Sequence, residues 1–138
     1  MAVLIDSSVW IAADKRGSKE HQQVRAMIRG DDHQIVTCLP IQVEVCQWVR
    51  SRAEFAAVWD AFLGFTRLEI RPEHWELSAF NYFACKKKGL TLSTIDCLLA
   101  TLAHSYRVPL WSRDKAFKAM RPVIGFDLFS PSKSSGTP

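Results

Sequence analysis

With 138 residues, 48% of them hydrophobic and 23% charged, the chain has the length of one domain and the composition of an ordinary globular protein. This excludes collagen-like and intrinsically disordered polypeptides, and no apolar run approaches the roughly 18 residues that cross a bilayer. Eighteen Lys and Arg against 14 Asp and Glu leave a net charge of +4, which permits nucleic-acid binding without establishing it.

The apolar stretch from Ala2 stops at Asp6, and the chain start lacks the basic region and long apolar core of a secretory signal, so cytoplasmic residence without a membrane partner is expected. Cys38, Cys46, Cys85 and Cys97 lie singly in apolar segments with no C-x-x-C pair, which predicts free buried thiols rather than zinc ligands.

Ala2 to Ile5 reads as a strand, Asp6-Ser7-Ser8 as a turn and Val9 to Ala13 as a helix. A loop from Lys15 to Lys19 leads to a second helix through Val24, Met27 and Ile28, closed by Gly30. Gln34 to Cys38 is a buried-strand candidate, and Pro40 suits the first turn of a helix that continues through Val49. Arg52 to Leu63 carries Phe55, Val58, Trp59 and Phe62 at helical spacing, a stripe expected to be core. Thr66 to Ile70 is a third strand candidate, and Pro72 opens a long helix through Trp75, Phe80 and Phe83 to a cap at Gly89. Ser93 and Thr94 precede a helix with Ile95, Leu98, Leu99, Leu102 and Ala103 on one face. Val108 to Trp111 follows as a strand, then a turn, a short helix with Phe117 and Met120, and a final strand candidate from Val123 to Phe129. The Ser- and Pro-containing segment 131–138 is expected to be a disordered tail after a single domain spanning 1–130.

Short strands alternating with helices predict an α/β fold: an open parallel sheet of four to five short strands with helices on both faces. Ligands of such sheets collect at the carboxyl ends of the strands. Four acids fall there. Asp6 follows the first strand, Glu44 lies a turn into the helix after the second, Asp96 is in the first turn of its helix, and Asp114 follows the Val108 to Trp111 strand.

Each acid has an ordinary explanation as a helix-capping or turn residue, and Ser93 with Asp96 would form a capping box. Yet Asp6, Glu44 and Asp96 are embedded in apolar sequence, where an isolated carboxylate costs several kcal/mol unless paired or bound to a cation. An all-oxygen carboxylate cluster suits a hard divalent ion such as Mg²⁺ or Mn²⁺, which could polarise a phosphoryl oxygen and activate water. Phosphodiester hydrolysis is the corresponding chemistry.

The segments "VLIDSSVWIA", "LPIQVEV", "LSTIDCLLATLA" and "LWSRDKAF" resemble, in order and spacing, the four motifs of the PIN-domain family, and within it the VapC-type toxins of toxin–antitoxin pairs. The resemblance covers Met1 to Phe129 and carries the family's acids onto Asp6, Glu44, Asp96 and Asp114, with Ser112 beside the last. Ala116 stands where the family often has a further acid. The resemblance implies a Mg²⁺- or Mn²⁺-dependent endoribonuclease acting on tRNA or ribosomal RNA, usually a homodimer, inhibited by a small antitoxin. By that analogy Asp6 and Asp96 would hold metal directly, and Glu44 and Asp114 would act through water or complete a second-metal site.

Ser7 and Ser112 could orient a metal-bound water or a phosphate, or simply cap and turn the chain. Lys15, Arg16, Lys19, Arg113 and Lys115 are the candidates for phosphate contacts, whereas Lys86 to Lys88 suit a solvated helix end. Trp48, Trp59 and Trp75 are expected in the core or a dimer contact, and Trp10 and Trp111 in packing. His21, His33, His74 and His104 have no metal spacing and are assigned no catalysis. Against the nuclease stand a phosphate-switch receiver domain, which would want an adjacent acidic pair after the first strand, and a non-catalytic PIN-like module that only binds RNA or protein.

Overall fold

A computed structural model describes residues 1–131. Four parallel strands, β1 (Ala2–Ile5), β2 (Gln34–Thr37), β3 (Thr66–Arg67) and β4 (Leu110–Trp111), make one sheet in the order β3-β2-β1-β4. Seven helices are described: α1 (Ser7–Ala13), α2 (Lys19–Arg29), α3 (Leu39–Cys46), α4 (Arg52–Phe62), α5 (Pro72–Lys87), α6 (Thr94–Tyr106) and α7 (Ala116–Ile124).

Side chains alternate across a strand, and both faces of this sheet are covered. Val3, Ile5 and Ile35 join Val9, Ala13, Val24 and Met27 of α1 and α2 in one buried cluster. Leu4 and Val36 join Leu98, Leu102, Phe117 and Met120 of α6 and α7 in the larger one. The expected architecture is the one observed.

Three expected elements differ. The strand expected over 66–70 keeps two residues, and Val108 and Pro109 precede β4. The strand expected over 123–129 is replaced by the end of α7, and Leu128 makes one isolated parallel bridge to Leu110. Phe117, Met120 and Ile124 are buried at helical spacing, so the helical period extends past Val123 until Gly125, at φ 76°, turns the chain as a residue with a side chain rarely does.

Packing also departs from two amphipathic readings. In α6 every residue from Cys97 to Ala103 is buried, because α5 and α7 flank it on two sides; the single apolar face read from the sequence is too narrow. In α4 only Phe62 is buried, while Phe55 is exposed and stacks on Trp59 with ring centroids 5.9 Å apart, so that stripe is only partly core. Along α5 only Ser78 and Cys85 are buried, and Trp75, Phe80 and Phe83 face out. All four cysteines are free and buried. Pro131 ends the described chain; the rest of the expected tail, 132–138, lies outside the described residues. No helix among the described residues is long and apolar enough to cross a membrane.

Candidate active site

The site is organised by strand order. β1 lies between β2 and β4, so the residue leaving β1 sits at the switch point where an open parallel sheet forms its crevice. That residue is Asp6, 4% exposed. Ile5 pairs with Trp111, and the Asp6 amide donates to the Trp111 carbonyl at 2.9 Å. This register brings Ser112 and the loop after β4 alongside Asp6.

Asp6 occupies the N-cap position of α1, but its side chain makes no capping bond. Its Oδ2 instead accepts from the hydroxyls of Ser8 and Ser112, each at 2.8 Å. Those oxygens in turn accept consecutive backbone amides, Arg113 onto Ser8 and Asp114 onto Ser112, each at 3.0 Å. No hydrogen bond among the described residues uses Oδ1 of Asp6.

β2 feeds α3, where Pro40 stands in the first turn, and Glu44 follows at the same rim, half-buried. Its Oε1 accepts from the Ser7 hydroxyl at 2.9 Å, tying α3 to α1. Cys38 occupies the N-cap position of α3 without a side-chain capping bond. Burial, reinforced by Glu44 and Asp6, pushes its thiol up to about 12, which removes it as a nucleophile at neutral pH.

Asp96 lies in the first turn of α6, and its amide donates to Ser93 Oγ at 3.0 Å, so the Ser93 half of the expected capping box is formed. Burial raises the Asp96 carboxyl from 3.8 to about 6, with Asp6, Asp114 and Glu44 pushing the same way and Ser93 opposing. All four candidate acids therefore share one electrostatic neighbourhood. Asp114 is the exposed member, and its Oδ1 accepts the Ala116 amide at 2.9 Å, a turn role for one of its oxygens. Arg113 leans away toward α2, its Nε 3.5 Å from Glu20.

Among the described residues no three His, Cys, Asp or Glu side chains are gathered into a ready-made metal site. The donor chemistry nonetheless suits a hard cation: four carboxylates with serine hydroxyls between them, and no salt bridge among the described residues to any of the four. Sequence reasoning missed Ser8, which it placed in the turn without a role; only the Asp-x-Ser spacing signalled it. Trp10 and Trp111 pack, Trp10 against Phe62 and Phe65 and Trp111 against Phe129. Trp48 and Trp75 are exposed rather than core.

A parallel α/β sheet with acids converging on the strand ends beside its switch point defines the class of fold and site. A family model described as PIN domain matches residues 3–121, and the chain belongs to the PIN-domain family. Compared with curated proteins, the chain matches none. Among solved structures it is similar to VapBC-1 from nontypeable Haemophilus influenzae, at 14% identity and TM-score 0.76, covering 96% of this chain and 100% of that one. It also resembles VapBC2 from Rickettsia felis, solved with a DNA fragment from the promoter, at 14% identity and TM-score 0.73, covering 94% and 98%. A third is VapC20 from Mycobacterium tuberculosis, described as a sarcin-ricin loop cleaving toxin, at 16% identity and TM-score 0.69, covering 94% and 99%.

Proposed function

We propose that this chain is a metal-dependent endoribonuclease, the toxin of a VapBC-type pair, cutting tRNA or ribosomal RNA. The observation that carries it is the gathering of acids at the strand ends: Asp6 leaves β1 beside β4, Ser7 ties Glu44 to the same rim, and burial with Asp6, Asp114 and Glu44 nearby raises the Asp96 carboxyl. Four acids that repel one another at a strand-end crevice, without a basic partner among the described residues, suit a divalent cation.

Asp6 and Asp96 would hold Mg²⁺ or Mn²⁺, with Glu44 and Asp114 acting through water or completing a second-metal site. A bound ion of this kind polarises a phosphoryl oxygen and makes a water acidic enough to attack. The chain's own contribution is orientation. Ser8 and Ser112 hold Oδ2 of Asp6, and Ser7 holds Glu44. Ser7 and Ser112 thus act on carboxylates in this reading, not directly on phosphate. With the four acids set aside, ten remain against 18 Lys and Arg, so the rest of the molecule favours a polyanion. Lys115 and the Lys15 to Lys19 loop are the phosphate contacts of this reading, and Arg113 joins them on leaving Glu20.

The partner proposals are a small antitoxin, supported by similarity to VapBC complexes, and a second copy of the chain, supported by the exposed aromatics of α5. A cytoplasmic location follows from an RNA substrate.

Purified protein incubated with total RNA should cut it in Mg²⁺ or Mn²⁺ and not in EDTA. Asp6→Asn and Asp96→Asn should each lower the rate at least about 100-fold with the circular dichroism unchanged, since each removes a group that would hold the ion. Undiminished cleavage by the double variant would overturn the reading. Absence of cleavage and of divalent-ion binding in the wild type would favour the non-catalytic PIN-like module.

A further inference from the structure

We propose that Ser8 is a positioning residue of this site, holding Asp6 with one oxygen tied to the protein and the other open, and fastening the Asp114 loop to the same carboxylate. The inference rests on the nuclease reading above. The Ser8 hydroxyl has one hydrogen, and it goes to Asp6 Oδ2 at 2.8 Å. Its lone pair takes the Arg113 amide at 3.0 Å, from a residue 105 positions away. Ser112 repeats the arrangement one residue along, with its hydrogen on the same Oδ2 and its lone pair on the Asp114 amide.

The two hydroxyls, 3.3 Å apart, have both hydrogens committed, so they stand side by side as parallel struts from Asp6 to consecutive amides of one loop. A carboxylate with two donors on one oxygen cannot rotate freely, and its other oxygen is left to face a cation. Groups that orient a metal ligand in this way are worth about 10–100-fold in metal affinity. Ser8 alone joins α1 to the β4–α7 loop by this route, because Ser7 turns to Glu44.

The test uses the full chain and Mn²⁺, with free Mn²⁺ followed by electron paramagnetic resonance, beside kcat and KM for RNA and the thermal midpoint. Ser8→Ala should bind Mn²⁺ about 10–100-fold more weakly, with KM for RNA unchanged and kcat at limiting Mn²⁺ reduced. Ser8→Thr, which keeps the hydroxyl, should bind Mn²⁺ as the wild type does. Should Ser8→Ala fail to fold, Ser8→Cys carries the same expectation, its thiol being a weak donor of similar size. Wild-type Mn²⁺ affinity in Ser8→Ala, or equal losses in Ser8→Ala and Ser8→Thr, would overturn the role of Ser8 and leave the nuclease reading standing. A wild type that neither binds Mn²⁺ nor cuts RNA would overturn both.

Discussion

Ser112 and Asp6 are 106 positions apart in the chain, yet the serine hydroxyl donates to the aspartate carboxylate at 2.8 Å. The parallel pairing of β1 with β4 creates this contact, since it aligns Ile5 with Trp111. Ser112→Ala should cost about 1–3 kcal/mol, because a buried carboxylate loses a donor and the Asp114 amide loses its acceptor. Urea denaturation measures the cost. An unchanged midpoint would mean that Ser8 alone satisfies Asp6.

Asp96 links the site to pH. Its carboxyl titrates near 6 in the folded chain against an ordinary 3.8. Between those values the folded state binds more protons than the unfolded one, so this group's contribution to stability falls as pH rises from about 4 through about 6, then levels off. Asp96→Asn should therefore be more stable than wild type at about pH 8, with the advantage vanishing near pH 4. The gain is modest because the side chain is only half-buried and solvent screens it. Mn²⁺ at a hundred times its dissociation constant should stabilise wild type by about 2.7 kcal/mol and the variant far less. Thermal melts at the two pH values, with and without Mn²⁺, check both statements.

Phe80 is 63% exposed on α5, with its ring centroid 6.2 Å from that of the exposed Phe83. If a second copy covers this face, Phe80→Glu should turn a dimer into a monomer in light scattering after gel filtration, with the fold intact. A wild-type monomer, or a Phe80→Glu dimer, would move the interface elsewhere.

Arg107 ends α6 with φ 54°, the one positive value outside glycine among the described residues. The Val108 amide reaches back to the Ala103 carbonyl at 3.1 Å, which needs this left-handed turn. Arg107→Gly should raise stability by about 0.5–1 kcal/mol by relieving that conformation. A lower melting temperature would show that the arginine side chain contributes more than the strain removes.

Much of the candidate site is legible in the amino-acid sequence. Asp6, Glu44 and Asp96 stand out because carboxylates in apolar sequence need a compensating partner, and strand-then-acid order puts them at one rim. The cysteines, scattered in apolar segments, are readable as buried thiols for the same reason. The destinations of the hydroxyls are not legible: Ser7 goes to Glu44, and Ser8 joins Ser112 on Asp6, contacts set by strand register rather than by neighbours in the chain. Nor does helical spacing reveal which apolar faces stay uncovered. Phe55, Trp75 and Phe80 carry the pattern of core residues but stay exposed among the described residues.

By itself, then, the sequence determined local structure and the chemical demand of its acids, because periodicity, capping and charge in apolar surroundings act over a few residues. Tertiary structure alone decided that β1 would lie between β2 and β4, that Asp96 would feel Asp6, Glu44 and Asp114, and that two serines would share one carboxylate oxygen. Those are long-range relations, and only the pairing of strands far apart in the chain brings their atoms within reach.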